Sequence, residues 1–215
     1  MTKQYYFIPG MGTTKEVFKG LDFKGDSVHY LEFPEPLKDE SLKDYSARMA
    51  EVISDENENI LIGMSMGGFI AQEISLIKKV EKLILISCYT EGQDWQIMLE
   101  LIKKFNLTEL IIDRAFKDIV IGALTIIPGY TKSEKAFFLK MAKHFSANYY
   151  KFAAKELVKW EPVKTTCPIV KIHGTKDELF PISKVNADYK VNAGGHLMIV
   201  THANEIDKYL KQAVA

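Results

Sequence analysis

Short apolar runs punctuate the chain at Tyr5 to Ile8, Val28 to Phe33, Ile60 to Met64, Lys82 to Ser87, Ile169 to His173 and Asp188 to Val191. They are rich in Val, Ile, Leu and aromatic residues and too short for helices that bury a face, so each reads as a strand. Between them the apolar positions recur three and four residues apart. Phe69, Ile70, Ile74 and Ile77, followed by the basic pair Lys78-Lys79, read as one such helix. Two further helix starts carry the capping-box spacing of a hydroxyl followed three residues later by glutamate: Thr13 with Glu16, and Thr131 with Glu134. Strands that alternate with helices predict a parallel sheet covered on both faces. The acidic run Asp55 to Asn59 ahead of the third strand reads as a solvated turn.

One connection breaks this rhythm. About 80 residues separate Ser87 from Cys167, far more than a crossover needs. The insert reads as helices near Gln93 to Phe105, Thr108 to Leu124, Ser133 to Phe145 and Asn148 to Trp160, with Trp95, Met98, Phe105, Ile111, Phe116, Met141 and Phe145 among its apolar residues. Most of these are expected to pack against the body, and a minority to line a cavity beneath a helical cap. With no linker or repeat in view, residues 1–215 are expected to form one domain with an insertion at about 90–162.

The run at Ile60 to Ile62 leads straight into Gly63-Met64-Ser65-Met66-Gly67, a match to G-x-S-x-G. That pattern places a serine on a sharp turn between a strand and a helix, and here a strand precedes it and a helix follows. Glycines on either side suit a strained backbone that other side chains would crowd. The plain alternative is a glycine-rich turn that happens to hold a serine.

Composition narrows the rest. With 215 residues and 47% hydrophobic content the chain can bury one sizeable core. Its 28 basic and 28 acidic residues cancel, so no overall field favours nucleic acid or an anionic membrane, and a small-molecule partner is expected. No apolar stretch is long enough to cross a bilayer, and a cytoplasmic protein is expected. Cys88 and Cys167 read as small buried thiols rather than a disulfide. No CxxC or HxxxH spacing offers a metal site, and no cofactor is required. Oligomeric state is open.

A serine that attacks needs a base, because its hydroxyl is protonated at neutral pH. Of the five histidines, His29 lies in a strand, His144 in a helix, His173 at a strand end and His202 near the last helix. His196 instead follows Ala193-Gly194-Gly195 beyond the last strand, in a loop able to reach the carboxyl edge of the sheet where sites form. The base in turn needs a carboxylate to fix its tautomer. Asp177, after the fifth strand, is preferred; Glu178 is the local rival, with Asp113 and Asp188 more remote. Asp177 could equally be a turn residue that caps its own backbone.

The order Ser65, Asp177, His196, each just after a strand, resembles the α/β-hydrolase superfamily across nearly the whole chain, through Gly63-Met64-Ser65-Met66-Gly67-Gly68, His173-Gly174-Thr175-Lys176-Asp177 and Gly195-His196. The resemblance implies an α/β-hydrolase fold with a reduced, mostly parallel sheet of about six strands, flanked by helices and bearing a helical cap. It implies catalysis by Ser65, Asp177 and His196, with the backbone N–H groups of Met11 and Met66 as the oxyanion hole. The chain departs from many relatives in Pro9-Gly10 where histidine-glycine is common, and in Met64 where histidine is common. The implied activity is hydrolysis of a small carboxylic ester or related acyl substrate through an acyl-enzyme intermediate. An acyl thioesterase is the alternative, and a non-catalytic ligand-binding protein on the same scaffold is the alternative of a different class.

Overall fold

The computed structural model describes residues 2–23, 27–90, 117–118, 121–122 and 130–215. The first expected insert helix, the second except for residues 117–118 and 121–122, Asp113 and the residues Trp95, Met98, Phe105, Ile111 and Phe116 lie outside these.

All six expected strands form: β1 (Lys3–Ile8), β2 (Val28–Tyr30), β3 (Glu58–Met64), β4 (Lys82–Ile86), β5 (Ile169–Gly174) and β6 (Tyr189–Val191). They make one sheet in the order β2-β1-β3-β4-β5-β6, every pair parallel. A parallel sheet is covered on both faces, which is why its central strands read as continuous apolar runs. Ile60, Ile62, Ile84 and Ile86 point to one face, where they meet Ile206 and Leu210 of the last helix, α6 (Ala203–Val214). Leu61, Leu83 and Leu85 point to the other, against Phe69, Ile70 and Ile74 of α2 (Met66–Ile74) and Tyr45 of α1 (Leu42–Met49). In α6 the buried residues Ile206, Leu210 and Ala213 recur at helical spacing while Lys208 and Lys211 face outward.

Between β4 and β5 the described residues hold α3 (Lys132–Ala142) and α4 (Ala147–Lys159), and a short helix α5 (Met198–Thr201) precedes α6. The Thr131–Glu134 capping box forms in full at the start of α3. Its counterpart does not form. Thr13 turns its hydroxyl back to the Gly10 carbonyl at 2.8 Å, and the segment after it is a 3-10 turn, Lys15–Phe18, with no side-chain cap. Val17 and Phe18 must reach the core within a few residues of β1, which leaves room for one tight turn only.

Other boundaries shift for similar reasons. β2 ends at Tyr30, three residues before Phe33, which leaves the sheet to pack among Tyr45, Phe145 and Tyr149. α2 ends at Ile74, so Leu76 and Ile77 lie in turns and stay exposed. The acidic run is solvated only in part, because β3 begins at Glu58 and Asn59 is fully buried, its amide donating to the Ser54 and Lys79 carbonyls. Both cysteines are free thiols, Cys88 buried and Cys167 half-buried. No described helix is long and apolar enough to cross a membrane.

Candidate active site

Ser65 stands between the end of β3 and the start of α2 with φ +50° and ψ −119°, a conformation in which L residues are strained. The surrounding chain holds it there. Its N–H donates to the Ile86 carbonyl across the sheet at 2.9 Å, and its carbonyl accepts from the Gly68 N–H at 2.8 Å. A Cβ on Gly63 would run into the Gly67 carbonyl, and one on Gly67 into the Ile8 carbonyl. The helix can therefore start directly off the strand only if both positions lack side chains.

Asp177 follows β5 and is 4% exposed. Its Oδ1 accepts from the backbone N–H groups of Leu179 at 3.0 Å and Phe180 at 2.8 Å, so it does cap its own turn. The same carboxylate faces His196 Nδ1, at 3.1 Å from Oδ1 and 3.0 Å from Oδ2. Capping and orienting are thus one arrangement, in which the turn fixes the carboxylate that fixes the ring. Burial pushes the Asp177 carboxyl up, but His196 beside it and the hydrogen bonds from His196 and the Phe180 N–H outweigh burial and leave it below its usual value.

His196 is buried in the loop after β6. Since a carboxylate only accepts, Nδ1 carries the proton, and Nε2 is left to accept from the Ser65 hydroxyl at 2.9 Å. The loop is anchored on both sides. The Lys176 N–H donates to the Gly194 carbonyl at 2.9 Å, the Leu197 N–H to the Tyr130 hydroxyl at 3.0 Å, and Ala193 takes φ +57° to make the bend. The Phe180 ring meets the His196 imidazole edge-on, centroids 5.1 Å apart.

The three residues chosen from the sequence therefore meet, and the rivals among the described residues do not. Glu178 is exposed and, among the described residues, hydrogen-bonds only to the His196 backbone N–H, at 3.5 Å. Asp188 caps the Lys171 N–H. His29 pairs with Gln4 and stacks on Tyr6, His144 lies against Phe145, and His202 pairs with Thr201. Gly10, just before Met11, lies beside the elbow, where a Cβ on it would be 3.4 Å from the Ser65 Cβ. Met66 is the first residue of α2, so its N–H has no partner within the helix, and neither Met11 nor Met66 donates its N–H to another backbone carbonyl among the described residues. Phe180, Tyr130 and His173 also belong to this constellation. Of these only His173 had a sequence signal, its place in the His173-Gly174 strand end, and that read as one histidine among five.

The chain superposes on MenH from S. aureus with a TM-score of 0.73, at 15% identity and covering 99% of this chain and 93% of that one. It superposes on an esterase from Exiguobacterium antarcticum with a TM-score of 0.71, at 18% identity and covering 99% and 92%. A hydrolase from Oleispira antarctica gives 0.72 at 13% identity, covering 100% and 91%. The chain has the α/β-hydrolase fold. No protein-family model matches the sequence. Among curated proteins, a pimeloyl-[acyl-carrier protein] methyl ester esterase of Wigglesworthia glossinidia brevipalpis is 34% identical over 88 residues, 37% of this chain. That match spans about a third of the relative's own length (34%).

Proposed function

We propose that the chain is a serine hydrolase of small carboxylic esters. The observation that carries this is the continuous line from the Asp177 carboxylate through His196 to Ser65 Oγ, with 3.0 Å and 2.9 Å contacts on the two ring nitrogens. Ser65 Oγ attacks the ester carbonyl while His196 Nε2 takes its proton. The oxyanion is received by the Met66 and Met11 N–H groups. The alcohol leaves with the proton from His196, and the same nitrogen then activates the water that releases the acid. Asp177 keeps the ring in the needed tautomer and stabilises its charged form. Balanced charge fits a small-molecule substrate better than a polyanion, and a cytoplasmic setting belongs to the same reading. Residues 90–162 serve in this reading as a cap on the carboxyl edge of the sheet.

The esterase named in Wigglesworthia is a methyl ester esterase, which favours the oxygen ester, and thioesters are the second reading because the same groups would cleave either bond. A fluorophosphonate probe tests the serine chemistry: wild type should be labelled on Ser65, and Ser65→Ala should be neither labelled nor active. A folded wild-type protein that resists the probe would favour the ligand-binding alternative. Matched oxygen esters and thioesters of one acyl chain then separate the two substrates.

A further inference from the structure

His173 is a deeply buried ionisable group beside the site. It lies at the end of β5, on the face that carries Phe180 and α2 rather than the face of its neighbour Ile172. Its Nε2 is 2.7 Å from the Phe180 carbonyl and 3.5 Å from Asp177 Oδ2. A carbonyl oxygen only accepts, so Nε2 carries the proton and Nδ1 is a bare lone pair. That Nδ1 is buried with no hydrogen-bond partner among the described residues. Burial holds the imidazole below its ordinary value, so the ring is neutral at neutral pH.

An unpartnered buried acceptor costs stability, so an imidazole is a poor choice here if filling space were its only task. What it gains is a donor aimed at one carbonyl. That carbonyl belongs to Phe180, a residue with three connections: its N–H donates to Asp177 Oδ1, its ring lies against His196, and its C=O accepts from His173. Fixing the carbonyl restrains the backbone rotation at Phe180, and so the placement of the residue whose N–H and ring make the other two connections.

We infer that His173 is a positioning residue of the active site, a neutral strut which acts through the Phe180 carbonyl, and secondarily through Asp177 Oδ2, to hold the acid and the base in line with Ser65. The inference rests on the serine-hydrolase reading above. Without the strut, the 177–180 turn keeps the Asp177 N–H bond to the Gly174 carbonyl but loses the anchor at its Phe180 end, and misplacement of the Asp177–His196 pair should slow proton transfer while leaving the substrate-binding surface unchanged. A loss on the order of 10²-fold in kcat is the scale for a misplacement of about 1 Å.

The test compares His173→Gln, whose amide nitrogen reaches the place of Nε2 and restores the donor, with His173→Leu, which keeps bulk and removes it. His173→Leu should lose roughly 10- to 100-fold in kcat with KM within about twofold, and His173→Gln should recover most of the loss. The downfield proton resonance of the His196 Nδ1–H···Asp177 bond should persist in wild type and His173→Gln and weaken or vanish in His173→Leu. If His173→Leu does not fold, His173→Asn takes its place, because its shorter amide cannot reach the Phe180 carbonyl, and the same contrast with His173→Gln is expected. Equal kcat in the donor and non-donor variants, whether both high or both low, would overturn the inference. Fluorophosphonate labelling of wild type is scored in the same experiment: no labelling sinks the hydrolase reading itself, whereas labelled wild type with indifferent His173 variants sinks only the strut.

Discussion

The strand-end loops and the segment from Tyr130 to Trp160 both border the site, yet they are held in different ways. In the loops the backbone does most of the holding. Ser65 hangs from the Ile86 carbonyl, Gly194 is tied to Lys176, Asp177 is set by two N–H groups of its own turn, and Gly63 and Gly67 let main chain touch main chain. The 130–160 segment is held chiefly by side chains. Tyr45 meets Phe152 with centroids 4.7 Å apart, Phe145 stacks on Tyr149 at 4.4 Å, Ser146 and Asn148 donate to Glu35, and Trp160 donates to Glu73. Backbone geometry is discrete, so a change in the loops should abolish chemistry. Side-chain packing gives way by degrees, so a change in the segment should lower stability and leave chemistry standing.

The largest expected effect lies in the loops. Asp177→Asn leaves a side chain that can still cap its turn but favours the wrong histidine tautomer, and kcat should fall on the order of 10⁴-fold if the serine-protease comparison transfers. Glu178→Gln, one residue away and exposed, should change kcat by no more than a few-fold. Steady-state kinetics on both variants decide the matter. The reverse ranking would make Glu178 the acid and break the link between turn geometry and chemistry drawn above.

The matching change in the segment is Trp160→Phe. It keeps the aromatic contact with Phe69, centroids 4.6 Å apart, and removes the indole N–H that reaches buried Glu73 Oε1 at 2.7 Å. Loss of that bond should cost about 1–3 kcal/mol. At roughly 2–4 °C per kcal/mol for a chain of this size, thermal denaturation will show it clearly. The value of kcat/KM should stay within about threefold of wild type. A tenfold loss would mean that the seam between α4 and α2 bears on the elbow, and the division between the regions would fail.

These two regions also differ in how far the sequence reveals them. The elbow was readable because strand, glycines, serine and helix are adjacent in the chain, and each imposes a steric requirement on the next. Asp177 was readable for a related reason: a carboxylate in a strand-end turn can bind its own backbone and still present an oxygen to a partner. What the sequence hid depends on distant contacts. Nothing local distinguishes the Thr13–Glu16 spacing, which forms no cap, from the Thr131–Glu134 spacing, which does. Nor does anything near Tyr130 show that its hydroxyl receives the Leu197 N–H 67 positions away. His173 showed itself only as a histidine at a strand end; its meaning comes from Phe180, which folds back over it.

A smaller effect should appear in the pH dependence of stability. His173 is held below its ordinary value by burial, so the unfolded chain takes up the proton first as pH falls. The stability it contributes is complete above the unfolded value of about 6.5 and is lost as pH falls from there toward the folded value, by at most about 1.4 kcal/mol per pH unit. Asp177 is lowered as well, and its contribution carries the same sign, but it is present above about 3.9 and disappears only as pH falls below that. Melting curves for wild type and His173→Gln between pH 7.5 and 5 should therefore diverge, with wild type losing more stability on acidification. Parallel curves would mean that His173 is not a buried neutral imidazole.

The smallest effect per step tests whether the segment contributes to substrate binding at all. Of the apolar insert residues singled out from the sequence, Met141 is buried in the sheet core and Phe145 against Tyr149 and Tyr150, so packing explains both. Yet that aromatic cluster also touches Met11, in the loop beside Ser65, and the Tyr149 hydroxyl lies 3.8 Å from Met66 Sδ. Apolar side chains therefore stand next to both N–H groups proposed for the oxyanion hole. An acyl chain that extends along this wall gains about 0.8 kcal/mol for each methylene it buries, a roughly fourfold rise in kcat/KM per carbon until the space is filled. Nitrophenyl esters from acetate to dodecanoate measure this directly, and the acyl length at which the rise stops marks the depth of the site. A steady fall from acetate onward would show that the aromatic cluster is core only, and that the segment serves the loops as a wall without a binding surface of its own.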